Sequence, residues 1–245
     1  MLERMADSRT TVAMLAPMVP ELAPLKKKIP LERTDLGDGA YTHVGHVGDV
    51  KVVAAITGIG TKPAMEATER LLDQIQIDHL MVVGIAGGMG PTVEIGDLVI
   101  PEVVIDEATG KQYRPSVLGN AKPRGSIVTS DRFGYDDATN AKMIADGVLG
   151  LDMETSAIGA VCERRGVPWT AYRGISDRGD DDTVDIEILE LAGADGSGNF
   201  KALVWYLLRK PWKIAHLKNL AKGATLAVNA AADAAIAACA DVAAA

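Results

Sequence analysis

The stretch Gly150-Leu151-Asp152-Met153-Glu154-Thr155-Ser156-Ala157 is where a strand hands over to a helix. Two acidic residues flank a methionine, and Ala157, Ile158, Ala160 and Val161 then form an apolar helical stripe. A helix start welcomes carboxylates because its free N–H groups carry partial positive charge. Capping alone explains such acids. A packed helix also holds its first turn rigidly, and a fixed carboxylate at the edge of an α/β layer suits a polar ligand. Both readings stand on these residues.

Outward from that point the chain alternates short apolar runs with helical stripes. Thr11 to Met18 is continuously apolar, as expected of a strand buried on both faces of a sheet. Glu21 follows just beyond its end, and Leu22, Leu25 and Ile29 recur at helical spacing. Tyr41–Val47 and Asp49–Thr57 read as a hairpin. His43 and His46 fall on its opposite faces, as ordinary strand residues rather than metal ligands. Gly58-Ile59-Gly60-Thr61 leads into a helix from about Lys62 to Gln74, a weak anion-site signal. His79–Val83 reads as a strand broken by the glycine-rich segment from Gly84 to Gly90. Short strands are expected over Val93–Ile105 and Ser126–Thr129, and Asp106–Arg124 as a surface excursion. Val167–Tyr172 reads as a strand with Arg173 to Asp177 at its carboxyl end, and a last helix runs from about Ile214 to Cys239.

Composition narrows the function classes. At 245 residues the chain accommodates one large α/β domain, here expected over 1–245 with a helical insert near 178–213 and frayed termini. A net charge of −8 argues against nucleic acid or an anionic membrane surface as the main partner. No apolar run reaches about 18 residues, so no ordinary membrane span is expected. Membrane-surface contact by the tryptophan-bearing, basic stretch near Phe200–Lys213 is the weaker alternative to a packed helix or subunit interface. Cys162 and Cys239 lack metal-like spacing and fit a reduced, cytoplasmic protein, and the charged N-terminal stretch lacks the apolar region of a secretory signal. The acidic run at Asp177, Asp180, Asp181 and Asp182 lacks the spacing of a calcium loop, so no metal and no cofactor are expected.

Glu21, the Gly84–Gly90 segment, Phe133, the Asp152–Glu154 stretch and Asp177 all stand at strand-to-loop junctions, the edge where open α/β sheets bind ligands. Phe133 is one of two phenylalanines and either caps the core or offers a ring to stack on. Carboxylates without a nucleophile elbow fit glycosidic cleavage, with an acid for the leaving group and a base for water.

AMLAPMVPEL (13–22), ITGIG (56–60), VVGIAGG (82–88), GDLVI (96–100), LDMETSAIGAVC (151–162) and YRGISD (172–177) together resemble the nucleoside phosphorylase and nucleosidase superfamily. The 5′-methylthioadenosine/S-adenosylhomocysteine nucleosidases are its most similar branch. The resemblance spans about residues 11–180. It implies a three-layer αβα domain around a central mixed sheet, a homodimer, and hydrolysis of a purine nucleoside with release of adenine in methionine salvage. By motif position it assigns Glu21 to water activation and Asp177 to protonation of purine N7, with Ser176 and Arg173 supporting the Asp177 loop. Glu154 falls on the ribose hydroxyls, Met153 on the sugar, Phe133 and Gly134 on the purine, and Gly87 under the substrate, while Asp152 reads as structural. Phosphorolysis is the rival, with Arg132 and Arg173 as the available phosphate donors, and a catalytically silent nucleoside-binding module is a second. Ile85, where nucleosidases often carry Ser, and the insert leave the preferred nucleoside open, futalosine derivatives, adenosine and inosine included.

Overall fold

The computed structural model describes residues 10–37, 40–132, 134–178 and 213–244; for 213–220, and for Ala40, only the backbone path is described. The expectations for Phe133 and for the 178–213 insert therefore fall outside the described residues, apart from the insert's end positions.

An eleven-stranded mixed sheet carries the fold: β1 (Thr11–Ala16), β2 (Glu32–Gly37), β3 (Ala40–Val47), β4 (Val50–Ile56), β5 (His79–Gly88), β6 (Leu98–Val99), β7 (Val103–Asp106), β8 (Gln112–Tyr113), β9 (Ser126–Thr129), β10 (Val148–Asp152) and β11 (Trp169–Arg178). Its order is β2-β3-β4-β1-β5-β10-β9-β7-β8, with β11 paired to β5 and β6. Parallel pairs join β1 to β4 and β5, β5 to β11, β7 to β9 and β9 to β10, and the hairpins are antiparallel. Helices α1 (Val19–Lys28) and α5 (Lys213–Ala243) cover one face. The other carries α2 (Thr61–Gln74) and α4 (Thr155–Arg165). The expected three-layer αβα architecture is what forms.

Strand β1 shows why. Val12, Met14 and Ala16 point into the core beneath α1 and α5, whereas Ala13 and Leu15 point into the core beneath α2 and α4. A two-residue period with both faces apolar places a strand in the middle layer.

Three expectations change. The glycine-rich segment does not break β5, which runs through to Gly88. Arg173 to Asp177 likewise continues β11 as far as Arg178. A further helix, α3 (Asp137–Ala145), starts at Asp136, whose side chain accepts from Thr139 N at 2.7 Å. It has no buried residue, so its sequence shows no apolar stripe.

Helix α5 includes Ala221–Ala243, a stretch long and apolar enough by composition to cross a membrane. Isolated polar residues such as Asn229 and Asp233 interrupt its apolar runs, which hides this length in the sequence. Its Ala227, Ala231, Ala232, Ala235 and Cys239 are buried against the sheet. Contact is very close where a Cβ on Gly174 of β11 would lie 2.1 Å from the Ala227 carbonyl oxygen. Only glycine admits that approach.

Candidate active site

Strand β5 forks. Its first half lies between β1 and β11, and where β1 ends, β10 takes its place beside Gly87 and Gly88. Gly87 is paired with Leu151 on one side and Asp177 on the other. The fork thus sets the Met153–Glu154 turn and Asp177 on either side of one glycine, with α1 entering over Gly84.

Glu21 sits in the first turn of α1 and is 2% exposed. One carboxylate oxygen accepts from Met18 N at 2.9 Å, half of a capping box. The other accepts from Ile85 N at 2.8 Å. Burial pushes its pKa up to about 8, against the pull of the Arg173 guanidinium and with the push of Glu154.

Arg173 is fully buried and gathers the acids. Its Nη2 lies 2.7 Å from Asp152 Oδ2 and 3.3 Å from Glu154 Oε2, and its Nε donates to Thr155 Oγ1 at 2.9 Å. Nη1 has no hydrogen-bond partner among the described residues. Burial works against its charge, but Asp152, Glu154 and Glu21 more than offset that and raise its pKa. Arg173 thus organises the carboxylates, and of the two residues expected to support the Asp177 loop it is Ser176 that bonds to Asp177 directly. Its Nη2 and Nε are taken by Asp152, Glu154 and Thr155, so the guanidinium of Arg173 faces the acids.

Glu154 is 5% exposed and accepts from Gly60 N, the cap position of α2, at 3.0 Å. Burial raises its pKa to about 7, Arg173 opposing and Asp152 assisting. Asp152 is structural, as expected: it accepts from Thr129 Oγ1 at 2.6 Å and also from the Thr155 hydroxyl. Met153 is half-buried. Ser176 is buried, its hydroxyl donates to the Asp177 carboxylate and lies 3.4 Å from Ala86 O, and Asp177 is half-buried. Gly134 is exposed, with φ +73° and open space where a Cβ would stand.

Several contributors escape a reading of the sequence. Asp131 accepts from Thr61 N at 2.8 Å and from the Thr61 hydroxyl, so the α2 N-terminus is capped across 70 positions. The Gly58–Thr61 turn does hold anions on backbone N–H groups, as its glycines hinted, but they are this chain's own Glu154 and Asp131. Arg132 is paired with Glu107 at 3.2 Å.

Gly84 makes the cluster possible. A Cβ there would lie 2.4 Å from Glu21 Oε1 and 2.5 Å from Arg173 Nη1. Gly84→Ala must drive those two side chains apart, and a cost of about 1–3 kcal/mol is expected from the urea midpoint. An unchanged midpoint would show that the cluster yields freely.

The family model described as the phosphorylase superfamily matches residues 11–209. A 5′-methylthioadenosine/S-adenosylhomocysteine nucleosidase of Oceanobacillus iheyensis is 28% identical over 219 residues, covering 76% of this chain and 95% of that protein. The enzyme so named in Chromohalobacter salexigens is 29% identical over 196 residues, 68% of this chain and 83% of that protein. Among solved structures, the Neisseria meningitidis nucleosidase in complex with methylthio-immucillin-A superposes with a TM-score of 0.70 at 20% identity, covering 93% of this chain and 97% of that one. Helicobacter pylori futalosine hydrolase gives 0.67 at 16%, covering 91% and 94%. The family model matches well over half of this chain's length, and the chain belongs to the phosphorylase superfamily.

Proposed function

We propose that the chain hydrolyses the N-glycosidic bond of a purine nucleoside, 5′-methylthioadenosine or S-adenosylhomocysteine, and releases adenine. One observation carries the reading: Glu21 and Glu154 share a buried guanidinium, while Asp177 stands across Gly87 from the Glu154 turn. Cleavage of a ribosyl bond passes through a sugar cation with a departing base. Water adds to C1′ as the C1′–N9 bond breaks, and the bonding pair leaves with the purine. Glu21 takes the water proton, and its raised pKa makes it an effective base near neutrality. Asp177, bonded to Ser176, gives a proton to purine N7. Glu154, held by Gly60 and Arg173, receives the ribose hydroxyls, with Met153 against the sugar. Phe133 stacks on the base, Gly134 offers backbone contacts, and Gly87 lies beneath the substrate.

Phosphorolysis fits poorly. A phosphate needs cationic or N–H donors, but Arg173 is committed to carboxylates, Arg132 to Glu107, and the α2 terminus to Glu154 and Asp131. The same reading makes the protein a cytoplasmic homodimer in methionine salvage. An acidic chain with two free, buried cysteines supports the compartment.

Purified protein is expected to release adenine from methylthioadenosine at a rate indifferent to phosphate, and Asp177→Asn to lose about 10²–10³-fold in kcat. Phosphate-dependent cleavage with ribose-1-phosphate as product would establish the phosphorylase instead. Tight binding without turnover would establish a binding module. Futalosine, adenosine and inosine belong in the same assay, since the futalosine hydrolase fold is shared.

A further inference from the structure

A cavity of about 520 Å³ opens between α1 and strands β2 to β4. It is separate from the carboxylate cluster and shares no lining residue with it. Leu22, Leu31 and Ile56 supply apolar walls, and Lys26, Arg33, Tyr41 and His43 the polar groups. The volume lies in the range of small-molecule sites, and a mostly apolar wall with a few converging polar groups is their usual composition.

The polar groups are unusual for a chain of net charge −8. Lys26 and Arg33 are both exposed at this cavity, and neither has a carboxylate partner among the described residues. The Arg33 guanidinium lies over the Tyr41 ring, 3.9 Å from its centroid, a cation–π contact that holds it at the cavity. Tyr41 meets the His43 ring edge-on at 5.6 Å. His43 is 6% exposed, and its Nδ1 has no hydrogen-bond partner among the described residues. Burial, then Lys26, then Arg33 lower its pKa, so the imidazole is held neutral beside two cations. An anion between Lys26 and Arg33 would relieve that repulsion and give the guanidinium fork a planar acceptor.

We propose that this groove is a second ligand site that takes a small organic carboxylate with a flat apolar body, its carboxylate held by Arg33 and Lys26 and its body against Leu22, Leu31 and Ile56. The guanidinium fork favours the planar, singly charged carboxylate. Lys26 stands in the last turn of α1, where helix carbonyls oppose a more highly charged group.

The test titrates the full chain with naphthalene-1-acetate and with its neutral isostere naphthalene-1-acetamide, by calorimetry. Saturable one-to-one binding of the acetate is expected, with the amide at least about tenfold weaker. Arg33→Met and Lys26→Met, both at exposed positions, should each weaken the acetate about five- to tenfold while leaving adenine release unchanged. Asp177→Asn should leave acetate binding unchanged. No saturable binding, equal affinity for the amide, or acetate binding untouched by Arg33→Met would overturn the site. So would weakening by Asp177→Asn, which would place the probe in the nucleoside site.

Discussion

Glu21→Gln is expected to lower kcat for adenine release by about 10³-fold and to change how pH acts on stability. The substitution keeps the shape of the side chain but removes the base, and it leaves one of the N–H groups of Met18 and Ile85 without a carboxylate oxygen. In the wild type the acid limb of kcat/KM should lie between about 7 and 8, because Glu154 and Glu21 must both lose their protons and burial holds those protons on. The two acids share Arg173, so the limb reports the pair rather than either residue. A flat profile between pH 6 and 9 would remove Glu21 as the base.

The stability effect has the opposite sense. Below the ordinary value of 4.5 the Glu21 carboxyl is protonated in both the folded and the unfolded chain. Between 4.5 and about 8 the unfolded chain has released the proton and the folded chain still holds it, so stability falls as pH rises. Above about 8 the difference is constant, at no more than about 5 kcal/mol. Glutamine does not titrate. The Tm of the variant relative to wild type should therefore climb from pH 5 to pH 8.5, whatever its offset at pH 5. A pH-independent difference would mean that Glu21 is ionised throughout. The fold thus holds Glu21, the proposed base, in an environment that destabilises its charged form, and the cost of that charge falls on stability.

Much of this arrangement is visible in the sequence, for a specific reason. Val12 to Ala16, buried on alternate faces, and Ala64 and Leu71 on α2 carry their positions as local periodicity, whereas the buried Thr68 does not. Glu21 and Glu154 each follow a strand closely, which marks them as junction acids, but their meeting depends on β1 running parallel and β10 antiparallel to β5, so that both strand ends converge over its middle. The glycines of β5 mislead because their purpose is not local. Gly84 is glycine because side chains from α1 and β11, 63 and 89 positions away, close over it. Gly87 carries β10 and β11 on its two edges. The partners of Arg173 are hidden for the same reason. Between apolar residues of a strand its charge reads as a strand end, because nothing nearby in sequence shows that Asp152 and Glu154 wait beside it in the interior. Asp131 capping α2 is also a long-range pairing without local signature. A first-turn acid such as Glu21 has two sound readings. Its two oxygens divide the work, one capping α1 and the other reaching β5.

Arg173→Met should produce the largest loss of stability. The guanidinium is 0% exposed and faces Asp152 and Glu154 directly, with Glu21 across Gly84. A methionine of similar length leaves those carboxylates buried without their cation, a change worth about 3–5 kcal/mol when one partner of a buried pair is removed. The acids would respond by keeping their protons to higher pH, so the loss should be small at pH 5.5 and grow toward pH 8.5. Arg173→Lys should recover only part of it, because a point-charged ammonium cannot reach Asp152, Glu154 and Thr155 Oγ1 together. Urea midpoints at the two pH values measure the effect. Adding Asp152→Asn or Glu154→Gln to Arg173→Met removes one uncompensated charge and should restore part of the midpoint at pH 8.5, although Glu154→Gln also forfeits the proposed ribose contact. Equal midpoints for wild type and Arg173→Met at pH 8.5 would mean that the carboxylates are neutral in the wild type. Glu21 and Glu154 would then lack the charge that hydrolysis asks of them.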